Sequence, residues 1–172
     1  MSNETARVAG IIRHSSVDGP GVRFTVFLQG CPHDCPGCHN PDTHDPMGGT
    51  EMPVGEIIAQ LAATKYLDGI TLSGGDPFAQ PAVVKALAEA AKALGLSVWS
   101  YTGWTVEELL GGDAGEEARD ALSSVDVLVD GRFVLARRSE SCIYRGSDNQ
   151  RLIDVAGSIA AGRAVELDRI EL

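Results

Sequence analysis

Four short apolar runs, separated by helix-patterned stretches, limit the possible folds of this chain more than any other feature. Val22, Phe24, Val26 and Leu28 alternate with Arg23, Thr25 and Phe27, which predicts a strand ending at Gly30. Gly69 to Leu72, Leu96 to Tyr101 and Val125 to Val129 predict three more. Between them, Val54, Ile57, Ile58 and Leu61 recur at helical spacing after Pro53, a residue suited to a first helical position. Pro81 opens an alanine-rich helix with Val84, Leu87, Ala88, Ala91 and Leu94 on one face, stopped by Gly95. Thr105 and Glu108 form a capping box ahead of Leu109 and Leu110. Such alternation with short crossovers predicts an α/β fold of parallel strands with helices outside. A closed eight-stranded barrel takes about 250 residues, so 172 residues predict an incomplete, partial β/α barrel forming a single domain, 1–172.

In parallel sheets of this kind the reacting groups gather at the carboxyl ends of the strands. Every distinctive loop falls at such an end: the cysteine-bearing loop after Gly30, Ser73-Gly74-Gly75-Asp76-Pro77, Tyr101-Thr102-Gly103 and Asp130-Gly131-Arg132. The formal charge of −10 repels phosphate backbones and anionic lipid, so neither nucleic acid nor a membrane is an expected partner. No apolar run is long enough to span a bilayer, and Met1 to Ala9 lacks a basic-then-apolar leader pattern. The expectation is a soluble, cytoplasmic protein.

Three of the four cysteines, Cys31, Cys35 and Cys38, lie within eight residues. Bunched cysteines without a leader point to metal or redox chemistry rather than a disulfide scaffold. Three thiolates on one tight loop, held irregular by Pro32, Pro36, Gly37 and Pro41, suit an iron–sulfur cube with one iron left without a protein ligand. The competing reading is a structural zinc with His33, His39 or His44 as fourth ligand, stapling a protein-binding module. Zinc usually takes a second, distant cysteine pair, which this chain lacks.

The wider pattern bears on that choice. Asp18-Gly-Pro-Gly21-Val-Arg23, then Phe27, Gly30-Cys31 and Cys38-His39-Asn40, resembles the radical S-adenosylmethionine (SAM) enzymes that activate glycyl-radical enzymes. Ser73 to Pro77, Trp99 to Gly103, Val129 to Gly131 and Arg145 to Arg151 follow in the family's order. The last segment narrows the resemblance to the branch whose partner is an anaerobic ribonucleoside-triphosphate reductase. Activation of another glycyl-radical enzyme, or radical chemistry on a small molecule, is the nearer alternative.

The resemblance implies a radical SAM-type fold and a [4Fe-4S] cluster on Cys31, Cys35 and Cys38, with SAM on the open iron. It implies Gly74, Gly75 and Asp76 along the methionine amino group, and Gly37, Cys38 and His39 beside the nucleoside. Many relatives carry an aromatic residue where Gly37 stands, which leaves His39 or Tyr101 to face the adenine. Asp130 and Arg132 are candidates for the SAM carboxylate or a bound cation, and a flavodoxin or ferredoxin is the implied electron donor. Asp18 to Gly21 reads either as a tight turn or as part of the site wall. Cys142 reads as a small buried hydrophobe, His14, His33 and His44 as loop histidines, and Arg145 to Arg151 as a surface loop suited to partner docking.

Overall fold

The computed structural model describes residues 3–168. Met1 and Ser2, part of the N-terminal stretch read above, lie outside them. Among the described residues the sheet has seven strands: β1 (Thr5–Ser15), β2 (Arg23–Leu28), β3 (Thr50–Pro53), β4 (Gly69–Gly74), β5 (Ser97–Tyr101), β6 (Val127–Asp130) and β7 (Arg151–Asp154). Their spatial order is β3-β1-β2-β4-β5-β6-β7. The helices are α1 (Val54–Ala63), α2 (Pro81–Ala93), α3 (Val106–Leu110), α4 (Glu116–Leu122) and α5 (Val155–Ala161).

The four expected strands are β2, β4, β5 and β6, and they pair in parallel in that order. The expectation of parallel strands throughout is corrected at both flanks. β1 pairs antiparallel with β2 and β3, and β7 pairs antiparallel with β6. β1 escapes a period-two reading because bulges interrupt its register between Val8 and Gly10 and between Ile12 and Ser15. Pro53 ends β3 rather than opening α1, which starts at Val54.

The parallel strands advance across the sheet without reversal, so right-handed crossovers set α1 to α4 on the same face. Burial agrees. Phe24, Val26, Leu28, Ile70, Leu72, Val98, Leu128 and Ile153 join Ile57, Leu61, Val84, Leu87, Leu109 and Leu122 in one core. α2 starts at Pro81 as expected, and Gly95 follows at φ +76, a conformation that glycine adopts without a Cβ clash. The capping box is present: Glu108 N donates to Thr105 Oγ1 at 3.2 Å, and Thr105 N donates to Glu108 Oε2 at 2.8 Å.

The alternate residues point to the other, helix-free face, which is polar and aromatic: Arg23, Thr25, Thr71, Ser73, Trp99 and Tyr101. Arg23 is fully buried there with no carboxylate in salt-bridge range among the described residues. Its guanidinium donates to Thr71 Oγ1, to Ser97 Oγ and to the carbonyls of Pro20, Ile70 and Ser97. It also lies 5.6 Å from the Trp99 ring centre. Burial pushes its pKa down to about 10.

Candidate functional site: the carboxyl-end cavity

The segment after β2 leaves the sheet at Gly30 and returns near Thr43. Gly30 N donates to Thr43 O at 2.7 Å and Cys31 N to His44 O at 3.2 Å, so the cysteine-bearing stretch is a closed loop. Gln29, 3% exposed, ties it from beneath by donating to Asp42 O and Asp45 O. Cys31, Cys35 and Cys38 are free, half-buried thiols. All three open onto one cavity of about 490 Å³, together with Phe27, Ser73, Gly74, Gly75, Tyr101 and Thr102. Burial raises the thiol pKa of Cys31 and of Cys35. A second, apolar cleft of about 560 Å³ shares Cys31 but holds neither other thiol, so it is not the site.

The two glycines at the end of β4, Gly74 and Gly75, are required for a reason the sequence did not disclose. A Cβ on Gly74 would fall 2.4 Å from Leu28 O, and one on Gly75 would fall 2.3 Å from Gly30 O. Backbone presses on backbone here: Gly75 N donates to Leu28 O and Asp76 N to Gly30 O, both at 2.8 Å. The glycines therefore weld the end of β4 to the start of the cysteine loop, while both still line the cavity.

Asp76, expected along the ligand, is placed off the cavity wall. It is fully buried and does not line the cavity. Its carboxylate accepts from Thr102 Oγ1 at 2.9 and 3.0 Å, from Gly103 N at 3.0 Å and from Phe78 N at 3.0 Å. His33 Nε2 lies 2.6 Å from Asp76 Oδ2. Every lone-pair direction is taken, so Asp76 clamps the cysteine loop to the turns after β4 and β5.

Asp130 and Arg132, expected at the ligand, are also placed elsewhere. Fully buried Asp130 accepts from Arg151 Nη2 at 2.6 Å, Arg151 Nε at 3.0 Å and Val106 N at 2.8 Å. Arg132 pairs with Glu108 at 3.3 Å and lies over the Trp104 ring. Neither lines the cavity. Gly37 is likewise turned from it at φ +74, and a Cβ there would meet Leu135 Cδ1 at 2.9 Å. Leu135 thus takes the room that an aromatic side chain at position 37 would need. Cys38 and His39 do line the cavity.

The same cavity is lined by two residues not singled out from the sequence, Phe133 and Tyr144, and by Gln150 of the segment read as a docking loop. Phe133 tilts against His39 with ring centres 5.1 Å apart, and Tyr144 meets Trp99 edge-on at 5.4 Å. Arg145, read only as part of a docking loop, also faces in. It donates weakly to Ile143 O and Gln150 O and has no carboxylate in salt-bridge range among the described residues. Tyr101 is held protonated well above the ordinary range by burial. Val17 and Asp18 complete the wall, so the turn at Asp18 reaches the site.

The donor set fits an iron–sulfur cube better than a single ion. Among the described residues no three His, Cys, Asp or Glu side chains converge on a point one ion would fill. A cube instead takes each soft thiolate on a separate iron. His33 and His44, two candidate zinc ligands, turn to Asp76 and to Asp34 at 3.5 Å.

The chain matches the family model described as a 4Fe-4S single cluster domain over residues 17–153. It is 38% identical over 142 residues to a Salmonella typhi protein, covering 78% of this chain and 89% of that one. An Escherichia coli K12 protein is 37% identical over the same shares, and one from phage T4 is 34% identical over 79% and 86%. All three are named anaerobic ribonucleoside-triphosphate reductase-activating protein. The solved structure of QueE from Escherichia coli overlaps at a TM-score of 0.47 and 15% identity, over 59% of this chain and 53% of that one. Among the described residues no helix is long and apolar enough to cross a membrane.

Proposed function

Because the chain belongs to the family of anaerobic ribonucleoside-triphosphate reductase-activating proteins, we propose that the carboxyl-end cavity is a radical SAM site acting on such a reductase. The convergence of three thiols and the Gly74-Gly75 backbone on one cavity carries this reading. In it Cys31, Cys35 and Cys38 would hold three irons of a [4Fe-4S] cluster, with no protein ligand on the fourth. The chemistry supplied there is one-electron cleavage of SAM into methionine and a 5′-deoxyadenosyl radical, followed by hydrogen-atom removal from a glycine of the reductase.

This chain's residues orient and enclose. The backbone of Gly74 and Gly75 lies along the methionine amino group. Arg145, the cavity cation without a carboxylate partner, takes the SAM carboxylate in place of Arg132. His39, Phe133 and Tyr101 flank the nucleoside. Asp76 acts only through the loop it clamps. The helix-free face is the inner wall of an open, partial β/α barrel that makes up one domain, 1–172. A flavodoxin or ferredoxin is the electron donor.

The test is direct. Anaerobically reconstituted protein, mixed with SAM, a low-potential reductant and the reductase, should give the doublet of a glycyl radical by electron paramagnetic resonance. A SAM-cleaving protein that yields no doublet on the reductase would sink the partner assignment.

A further inference from the structure

The chain as a whole carries −10, yet residues 132–145 hold four arginines against one acid, Glu140. This segment is a lip over the cavity. A bridge pairs Arg138 with Ser147, Ser139 N donates to Gly146 O at 3.2 Å, and Asp148 N donates to Arg137 O at 2.9 Å. The lip's inward side chains, Phe133, Tyr144 and Arg145, are cavity wall. Its outward ones face solvent: Leu135 is 53% exposed and Ile143 61%.

The arginines are not equally committed. Arg132 is paired with Glu108, and Arg137 with Asp148. Among the described residues Arg138 reaches only Glu140, at 3.8 Å, with both side chains more than half exposed. An ion pair that long and that wet adds little, so Arg138 is available to a better partner. Exposed apolar side chains interleaved with arginine are the make-up of an interface centre. On a molecule otherwise acidic, they also mark where a negatively charged partner meets least repulsion.

Building on the function proposed above, we propose that the lip, residues 132–145, is the docking surface for the glycine-bearing segment of the reductase. The geometry requires a flexible occupant: a glycine Cα must enter the cavity while its flanking residues stay outside on the rim. The segment that fits carries apolar side chains beside carboxylates, the former seated on Leu135 and Ile143, the latter on Arg138. Complementary charge speeds and orients encounter, and the apolar contacts hold it.

The test uses the full chain with its cluster reconstituted, in the variants Arg138→Glu and Ile143→Asp, singly and together. Two rates are read: SAM cleavage driven by a chemical reductant without reductase, and glycyl-radical formation against reductase concentration. Cleavage without reductase should match wild type. The reductase concentration for half-maximal radical formation should rise about tenfold or more in the double variant. Added salt should weaken wild-type activation more than that of Arg138→Glu. Unchanged dependence on reductase in the double variant overturns the proposal. So does loss of reductase-free cleavage, which would place these side chains in the cavity's own workings. A wild-type protein that cleaves SAM but activates no reductase refutes the partner assignment instead, a distinct outcome.

Discussion

Two buried aspartates stand at the carboxyl end of the sheet, and their surroundings differ. Asp76, just past β4, is met by His33 of the cysteine loop, by the Thr102 hydroxyl and Gly103 N–H of the turn after β5, and by the Phe78 N–H of its own short helical turn. Asp130, the last residue of β6, is met by the guanidinium of Arg151 on the neighbouring edge strand and by the first N–H of α3. The first acid holds a loop that carries thiols. The second closes the edge of the sheet. An acid at a strand end is therefore not by itself a ligand contact; what it accepts from decides its work. The cavity is left to the thiols, the Gly74-Gly75 backbone, side chains such as His39 and Tyr101, and Phe133, Tyr144 and Arg145 from the later lip.

Pairs of variants drawn from the two regions test this division. Cys35→Ala, on the clamped loop, should abolish iron retention after anaerobic reconstitution while far-ultraviolet circular dichroism is unchanged. Cys142→Ser, on the lip, should leave iron per chain as in wild type. Equal iron loss in both would erase the distinction between the regions.

Asp130→Asn should be the most destabilising of the remaining changes, by about 3 kcal/mol in denaturant unfolding, because Arg151 loses its buried counter-charge. Iron content should stay normal. Asp76→Asn should cost about 2 kcal/mol, since an amide nitrogen must now face a hydrogen-bond donor. Its distinguishing mark is a fall in iron incorporation, because the cysteine loop loses its anchor. If Asp130→Asn loses iron as readily as Asp76→Asn, the two clamps are not separate.

The smallest effect is expected at Glu107, which pairs with Arg151 from the solvent side at 2.7 Å and is half exposed. That hydrogen bond holds the Glu107 carboxyl below its ordinary value of 4.5. A depressed carboxyl pKa adds stability above the unfolded value and loses it as pH falls through the folded one. Glu107→Gln should therefore cost about 0.5 kcal/mol at neutral pH. It should also make the decline in stability below pH 4.5 shallower, as followed by acid titration of the unfolding midpoint.

Much of this arrangement was legible in the chain. The parallel core follows from period-two apolar runs and short crossovers, and its carboxyl-end loops follow from strand polarity. The cysteine triplet on one cavity follows from their spacing and the prolines around them. The flanking strands were not legible. β1 is broken by bulges, and β7 is four residues directly after a polar stretch that reads as loop. The roles of Asp76 and Asp130 were hidden because their partners His33, Thr102 and Arg151 lie 21 to 43 residues away. Gly37 could not be read because Leu135, which fills the space above it, comes nearly a hundred residues later. Phe133 and Tyr144 gave no periodic signal, since they belong to an irregular lip; an aromatic residue shortly after Asp130-Gly131, at a strand's carboxyl end, was the one available clue.

The most direct test is Mössbauer spectroscopy of the iron-57-reconstituted protein with and without SAM. Three thiol ligands predict four irons per chain, one of which changes its isomer shift and quadrupole splitting when SAM is added while three do not. Four irons that respond alike, or a spectrum untouched by SAM, would contradict the open-corner site on which the account depends.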